Sequence, residues 1–132
     1  MNRLIVTTLL SLACFAADAE WTRIFNEASS NTSVDADLTT FKREGDITKL
    51  WTRINYDKPQ NFEGTSYQST INLTQVDCKE DLYRSVFSNL HEGKNGEGKK
   101  LKNVNQPNAE WLQMPPQTIA RDVAKWICAY KP

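Results

Sequence analysis

Histidine, cysteine, net charge and long apolar runs are all scarce in this 132-residue chain. His91 is the single histidine, so a Ser-His-Asp or Cys-His catalytic arrangement would have to use it. Ser88 precedes it at a spacing that, in a strand, points to the opposite face. A metal site needs several ligands, and His91 has only Glu92 beside it. The sequence therefore offers no catalytic set and no metal set, and it implies no cofactor. Basic and acidic residues number 16 each, so no general field draws the chain to nucleic acid or to an anionic membrane. The longest uncharged run, Leu4 to Ala17, falls short of the ~20 apolar residues of a membrane span, and no integral span is expected.

That short run has another reading. Met1-Asn2-Arg3 gives a positive start, and Ala17-Asp18-Ala19 has the small-x-small form of a signal-peptidase site. Residues 1–19 read as a signal peptide, cleaved between Ala19 and Glu20, and residues 20–132 as one domain by length. Removal of Arg3 and Asp18 keeps the remainder neutral. Export to the periplasm, or release to the medium or cell surface, is expected. An alternative is lipid attachment at Cys14, although Ser11 stands where a lipobox prefers leucine.

Cleavage at that point leaves two cysteines. In an oxidising compartment the pair Cys78 and Cys128 reads as a disulfide. The loop it would close is long, worth about 4 kcal/mol in the chain-entropy model.

Short strands followed by one helix make up the rest. Trp21–Phe25, Val34–Phe41, Ile47–Tyr56, Tyr67–Cys78, Leu82–His91 and Lys99–Val104 are the expected strands. Ile47–Tyr56 alternates most clearly, with Leu50, Thr52, Ile54 and Tyr56 against Trp51, Arg53 and Asn55. Asp57-Lys58-Pro59-Gln60-Asn61 is expected to break that strand. In Leu82–His91, Leu82, Val86 and Leu90 oppose Tyr83 and Phe87. After Pro115-Pro116, Thr118 is a good N-cap, and Ile119, Val123, Trp126, Ile127 and Tyr130 form one helical stripe. The fold class that follows is α+β, an antiparallel sheet packed by one C-terminal helix, with Cys78–Cys128 tethering the helix.

Gly93-Lys94-Asn95-Gly96-Glu97-Gly98-Lys99-Lys100 approaches a phosphate loop but ends in lysine where a hydroxyl is needed, and no long helix follows it. A glycine-rich hairpin tip is the better reading. Lys94, Lys99, Lys100 and Lys102 make this tip locally positive, the candidate surface for a protein partner if it is more than a solvated turn. Trp21, Trp51, Trp111 and Trp126 read as core residues rather than a sugar platform. Asn31-Thr32-Ser33 and Asn72-Leu73-Thr74 match the glycosylation triplet, which matters only in a eukaryotic secretory pathway.

Trp21, Leu50-Trp51, Tyr56-Asp57-Lys58-Pro59-Gln60, Gly64-Thr65-Ser66-Tyr67-Gln68-Ser69, Asp77-Cys78, Arg84, Gly96-Glu97-Gly98, Trp111, Pro115-Pro116 and Cys128 occur in an order that resembles the bacterial surface-adhesin protein E family. The resemblance covers roughly residues 20–130. It implies an antiparallel sheet with a disulfide-tethered C-terminal helix, and a non-enzymatic envelope protein that binds host extracellular proteins. It transfers no catalytic motif. The alternative from another class is a periplasmic or secreted inhibitor or immunity-type protein, which would use the Gly93–Lys102 hairpin to plug an enzyme's cleft.

Overall fold

The computed structural model describes residues 20–132, so the expected signal segment, with Cys14 and Ala19, lies outside the described residues. The chain runs through β1 (Trp21–Glu27), β2 (Thr32–Glu44), β3 (Ile47–Phe62), β4 (Thr65–Asp77), β5 (Leu82–His91), a single 3₁₀ turn (Lys94–Gly96), β6 (Lys100–Asn105), β7 (Leu112–Gln113) and α1 (Ile119–Ala129). One seven-stranded sheet results, ordered β1-β2-β3-β4-β5-β6, and β7 pairs with the far half of β5. Every pairing is antiparallel, as expected of strands joined by short turns.

The strands are longer than the sequence pattern suggests because bulges carry them through irregular segments. β3 continues past Pro59, where the β3–β4 register shifts between Asn55 and Gln60. Proline donates no ladder bond, so it sits where the ladder is interrupted. A second register shift falls at Val86, between the pairs Leu73–Phe87 and Thr74–Ser85. That bulge separates Tyr83 from Phe87: Tyr83 pairs with Val76 and packs on the core, whereas Phe87 meets Trp51 edge-on at 5.8 Å on the other side. The simple alternation expected for β5 fails there, since a bulge changes which residues share a face.

α1 covers one face of the sheet, here called the helix face. Thr118 caps the helix by accepting from the Arg121 amide at 3.3 Å. At the other end Arg43 donates to the carbonyls of Ile127 and Tyr130, a cation on the negative pole of the helix. Ala124 and Ile127 of the helix bury against Ala36, Leu50 and Val76 of the sheet, with Met114 completing the cluster. The Cys78–Cys128 disulfide joins the end of β4 to the last turn of α1 and spans 50 residues of sequence. The four tryptophans are all only half-buried. Trp126 packs on the rim of the core, while Trp21 and Trp111 lie under the guanidinium groups of Arg53 and Arg84. Large rings with a polar edge sit at the rim of a small core.

Candidate functional site

The opposite face of the sheet, the loop face, is polar at its centre. Asp35 is 2 % exposed. Arg53 donates to its Oδ2 from Nη2 at 2.8 Å and from Nε at 3.0 Å, and Arg23 donates to Oδ1 at 2.5 Å. Asn55 adds its side-chain amide at 3.3 Å. A carboxylate removed from water in this way needs those donors.

The same residues hold the glycine-rich segment. Arg53 Nη1 donates to the Asn95 carbonyl at 3.1 Å, and the Asn95 amide donates to Asn55 Oδ1 at 2.6 Å. Ser69 Oγ donates to the Gly93 carbonyl at 2.5 Å and accepts from the Gly96 amide at 2.9 Å. Asn95 and Gly96 both have positive φ, 61° and 70°. A Cβ on Gly96 would come within 2.7 Å of Ile71 Cδ1, so the turn lies flat on the sheet. The segment expected to be a free hairpin tip is thus pinned at four points to β3 and β4.

This placement divides the four lysines. Lys94 is exposed on the pinned turn, 3.8 Å from Asp57. Lys99 is exposed just before β6, and Lys100 pairs across the ladder with His91 on the loop face. The next register shift, between Leu90 and His91, turns Lys102 to the helix face. There its Nζ lies 2.6 Å from Glu63 and 4.9 Å above the Phe62 ring. Lys94, Lys99 and Lys100 belong to the loop end of the molecule, and Lys102 does not point with them.

His91 is on the loop face beside the turn. Both its ring nitrogens are buried without a hydrogen-bond partner among the described residues, as is Asn89 Oδ1. Burial, and then the neighbouring Lys100 charge, hold its pKa below the ordinary 6.5. Among the described residues no acidic or hydroxyl partner reaches it, so they supply no acid–base pair there. Among the described residues no three His, Cys, Asp or Glu side chains converge as a metal site would require.

The helix face carries the second feature, a cleft between the N-terminal half of α1 and the sheet. Its inner part, about 240 Å³, is walled by Val34, Ile54, Val76, Ile119, Val123 and Ile127. An outer part of about 300 Å³ continues past Tyr56, Tyr67, Phe62, Leu90 and Val104. Tyr56 and Tyr67 meet edge-on at 5.9 Å. Burial, helped by Tyr67 and opposed by a hydrogen bond from Thr70, pushes the Tyr56 phenol up to about 12. Sequence reasoning found neither this cleft nor the Asp35 network. The signal for the network was the Ser33, Asp35 and Asp37 alternation in β2, matched in register by Asn55, Arg53 and Trp51.

A family model described as surface-adhesin protein E matches residues 21–129. No curated protein matches the chain. Among solved structures, the crystal structure of protein E from non-typeable Haemophilus influenzae is similar with a TM-score of 0.54 and 17 % identity. That match covers 86 % of this chain and 80 % of the other.

Proposed function

The chain belongs to the surface-adhesin protein E family, and from that membership we propose that it is an exported, non-enzymatic binding protein displayed on the bacterial cell surface. The partner we propose is a host extracellular protein. The family match over residues 21–129 is the observation that carries this reading. The pinned turn supports it in physical terms: a loop already fixed by Arg53, Asn55 and Ser69 loses little entropy when a partner docks. Lys94, Lys99 and Lys100 would meet an acidic patch of that partner and act mainly on the association rate. The inhibitor reading asks for a projecting plug, and a turn lying flat on its own sheet is a poor one.

Two measurements test the proposal. Protease added to intact native host cells should digest the protein. The purified protein should capture immobilised extracellular-matrix proteins, and Lys94→Glu/Lys99→Glu/Lys100→Glu should lose most capture with an unchanged melting temperature, since exposed charges contribute little to folding. Protection on intact cells together with no capture by the wild type overturns the adhesin reading. Full capture by the triple variant removes the loop lysines from it.

A further inference from the structure

The cleft on the helix face is unused by the proposed adhesive function. Its walls are uncharged throughout: among the described residues lining its two parts, none is Asp, Glu, Lys, Arg or His. In a chain with 24 % charged residues this is a selective exclusion. Two pairs of the polar side chains that remain in it satisfy one another. Thr52 and Thr74 hydrogen-bond at 2.8 Å, and the Asn72 amide donates to Thr70 Oγ1 at 2.9 Å. An apolar occupant lying over these two pairs leaves their hydrogen bonds intact.

A charged group stands at the outer end. Phe62 lines that end, and the Lys102 ammonium sits 4.9 Å above its ring. The present partner of Lys102 is Glu63, which is 67 % exposed, so that rim pair is weak and exchangeable. The cleft follows β4 from Val76 to Tyr67, about 30 Å at ~3.4 Å per residue. It is long and neutral, aliphatic at its inner end and mixed with hydroxyl and amide groups at its outer end, with the Lys102–Glu63 pair at its mouth.

We propose that the cleft binds a single-chain fatty carboxylate, its acyl chain between α1 and the sheet and its carboxylate on Lys102. Charge complementarity selects this class: a neutral channel for the chain and an ammonium for the head. A peptide fits less well. β3, β4 and β5 under the cleft are paired on both sides, and only β6 at its outer end is an edge strand, so along most of the cleft a peptide would bring backbone N–H and C=O groups with no edge to receive them. An acyl chain has none to lose.

The test uses the purified, delipidated exported protein and titration calorimetry with dodecanoate, dodecanol and a blocked apolar peptide. Dodecanoate should bind saturably, and dodecanol more weakly. Lys102→Gln should weaken dodecanoate by about two- to fivefold and leave dodecanol unchanged. Ser85→Trp fills the point where the two parts of the cleft meet and should cost at least about tenfold for both ligands. Should that variant not fold, Lys102→Gln and the two ligands still decide the matter. No dodecanoate binding by the wild type, peptide binding in its place, or identical affinities for dodecanoate and dodecanol overturns the proposal. Loop-lysine substitutions that abolish matrix-protein capture should leave dodecanoate affinity unchanged, so the two readings fail separately.

Discussion

The two faces of this sheet are held by opposite means. The helix face buries aliphatic side chains under α1, with Leu50 and Ile127 fully enclosed. Among the described residues no helix covers the loop face. It places a buried carboxylate, Asp35, between two arginines and uses the same residues to tie down the Lys94–Gly96 turn. Apolar packing tolerates replacement by anything of suitable volume. A charged network is all-or-none, because loss of one member leaves the others desolvated and unpaired. The adaptable cleft is accordingly on the helix face, and the rigidly presented turn is on the loop face.

The sharpest way to break this comparison is Asp35→Ala. Arg53, whose side chain is 13 % exposed, would lose its carboxylate, and denaturant unfolding should show a cost of about 3–5 kcal/mol. Asp35→Asn should cost nearly as much, since the shape is kept and the charge is lost. A loss below about 1 kcal/mol would mean that the network behaves as an exposed ion pair and that the helix face alone carries the fold.

Alkaline pH probes the helix face. The Tyr56 phenol ionises at about 12 in the fold against 10.0 in the open chain, chiefly because it is buried. As pH rises, the unfolded chain gives up this proton first. Stability is therefore intact below pH 10 and falls by about 3 kcal/mol as pH rises through 12. Tyr56→Phe should remove that part of the slope in urea melts at pH 10 and above. An equal slope in both proteins would place the phenol in water and open the cleft to solvent.

A smaller effect is expected at Gly96. Alanine there meets both a φ of 70° and Ile71, and should cost about 1–2 kcal/mol. Amide exchange at Asn95 and Gly96 should accelerate while the core amides of β3 and β4 stay protected. Uniform acceleration would show that the turn is part of the core rather than an attachment to it.

The packing of α1 on the helix face was legible in the sequence; the cleft beside it and the loop face were not. Leu50, Ile54 and Val76 recur at strand spacing, and Ile119, Val123 and Ile127 at helix spacing, so apolar periodicity alone places the helix on the sheet. The disulfide followed from compartment and cysteine count. Asp35, Arg53 and Asn55 look like ordinary solvated residues in a linear reading, because only register brings them together. Gly93–Gly98 looked free for the same reason: its anchors, Ser69 and Asn55, are distant in sequence. Bulges hid the rest. One extra residue at Val86 and another beside Leu90 reassign Phe87 and Lys102 between faces, and no local pattern announces them.

The smallest expected effect is at acid pH and belongs to the loop face. His91 is neutral in the fold, where burial and then Lys100 lower its pKa from 6.5. The unfolded chain takes up this proton first as pH falls, so stability is full above that value and declines below it. The group lies on β5 beside the pinned turn, with Lys100 opposite it on β6 and Glu92 next to it in the chain. Protonation would add a second cation next to Lys100 without a hydrogen-bond acceptor for either ring nitrogen. The turn should loosen before the sheet does, because the anchors at Ser69 and Asn55 are local while the ladders are extensive. Melting temperatures measured from about pH 7 to about pH 5 should fall more steeply for the wild type than for His91→Gln, and Lys100→Gln should flatten the wild-type slope in part. Carboxylates also titrate toward the acid end, so the difference between the wild type and His91→Gln, rather than the slope itself, isolates the histidine. Identical slopes in the two proteins would show that the ring is hydrated in both protonation states.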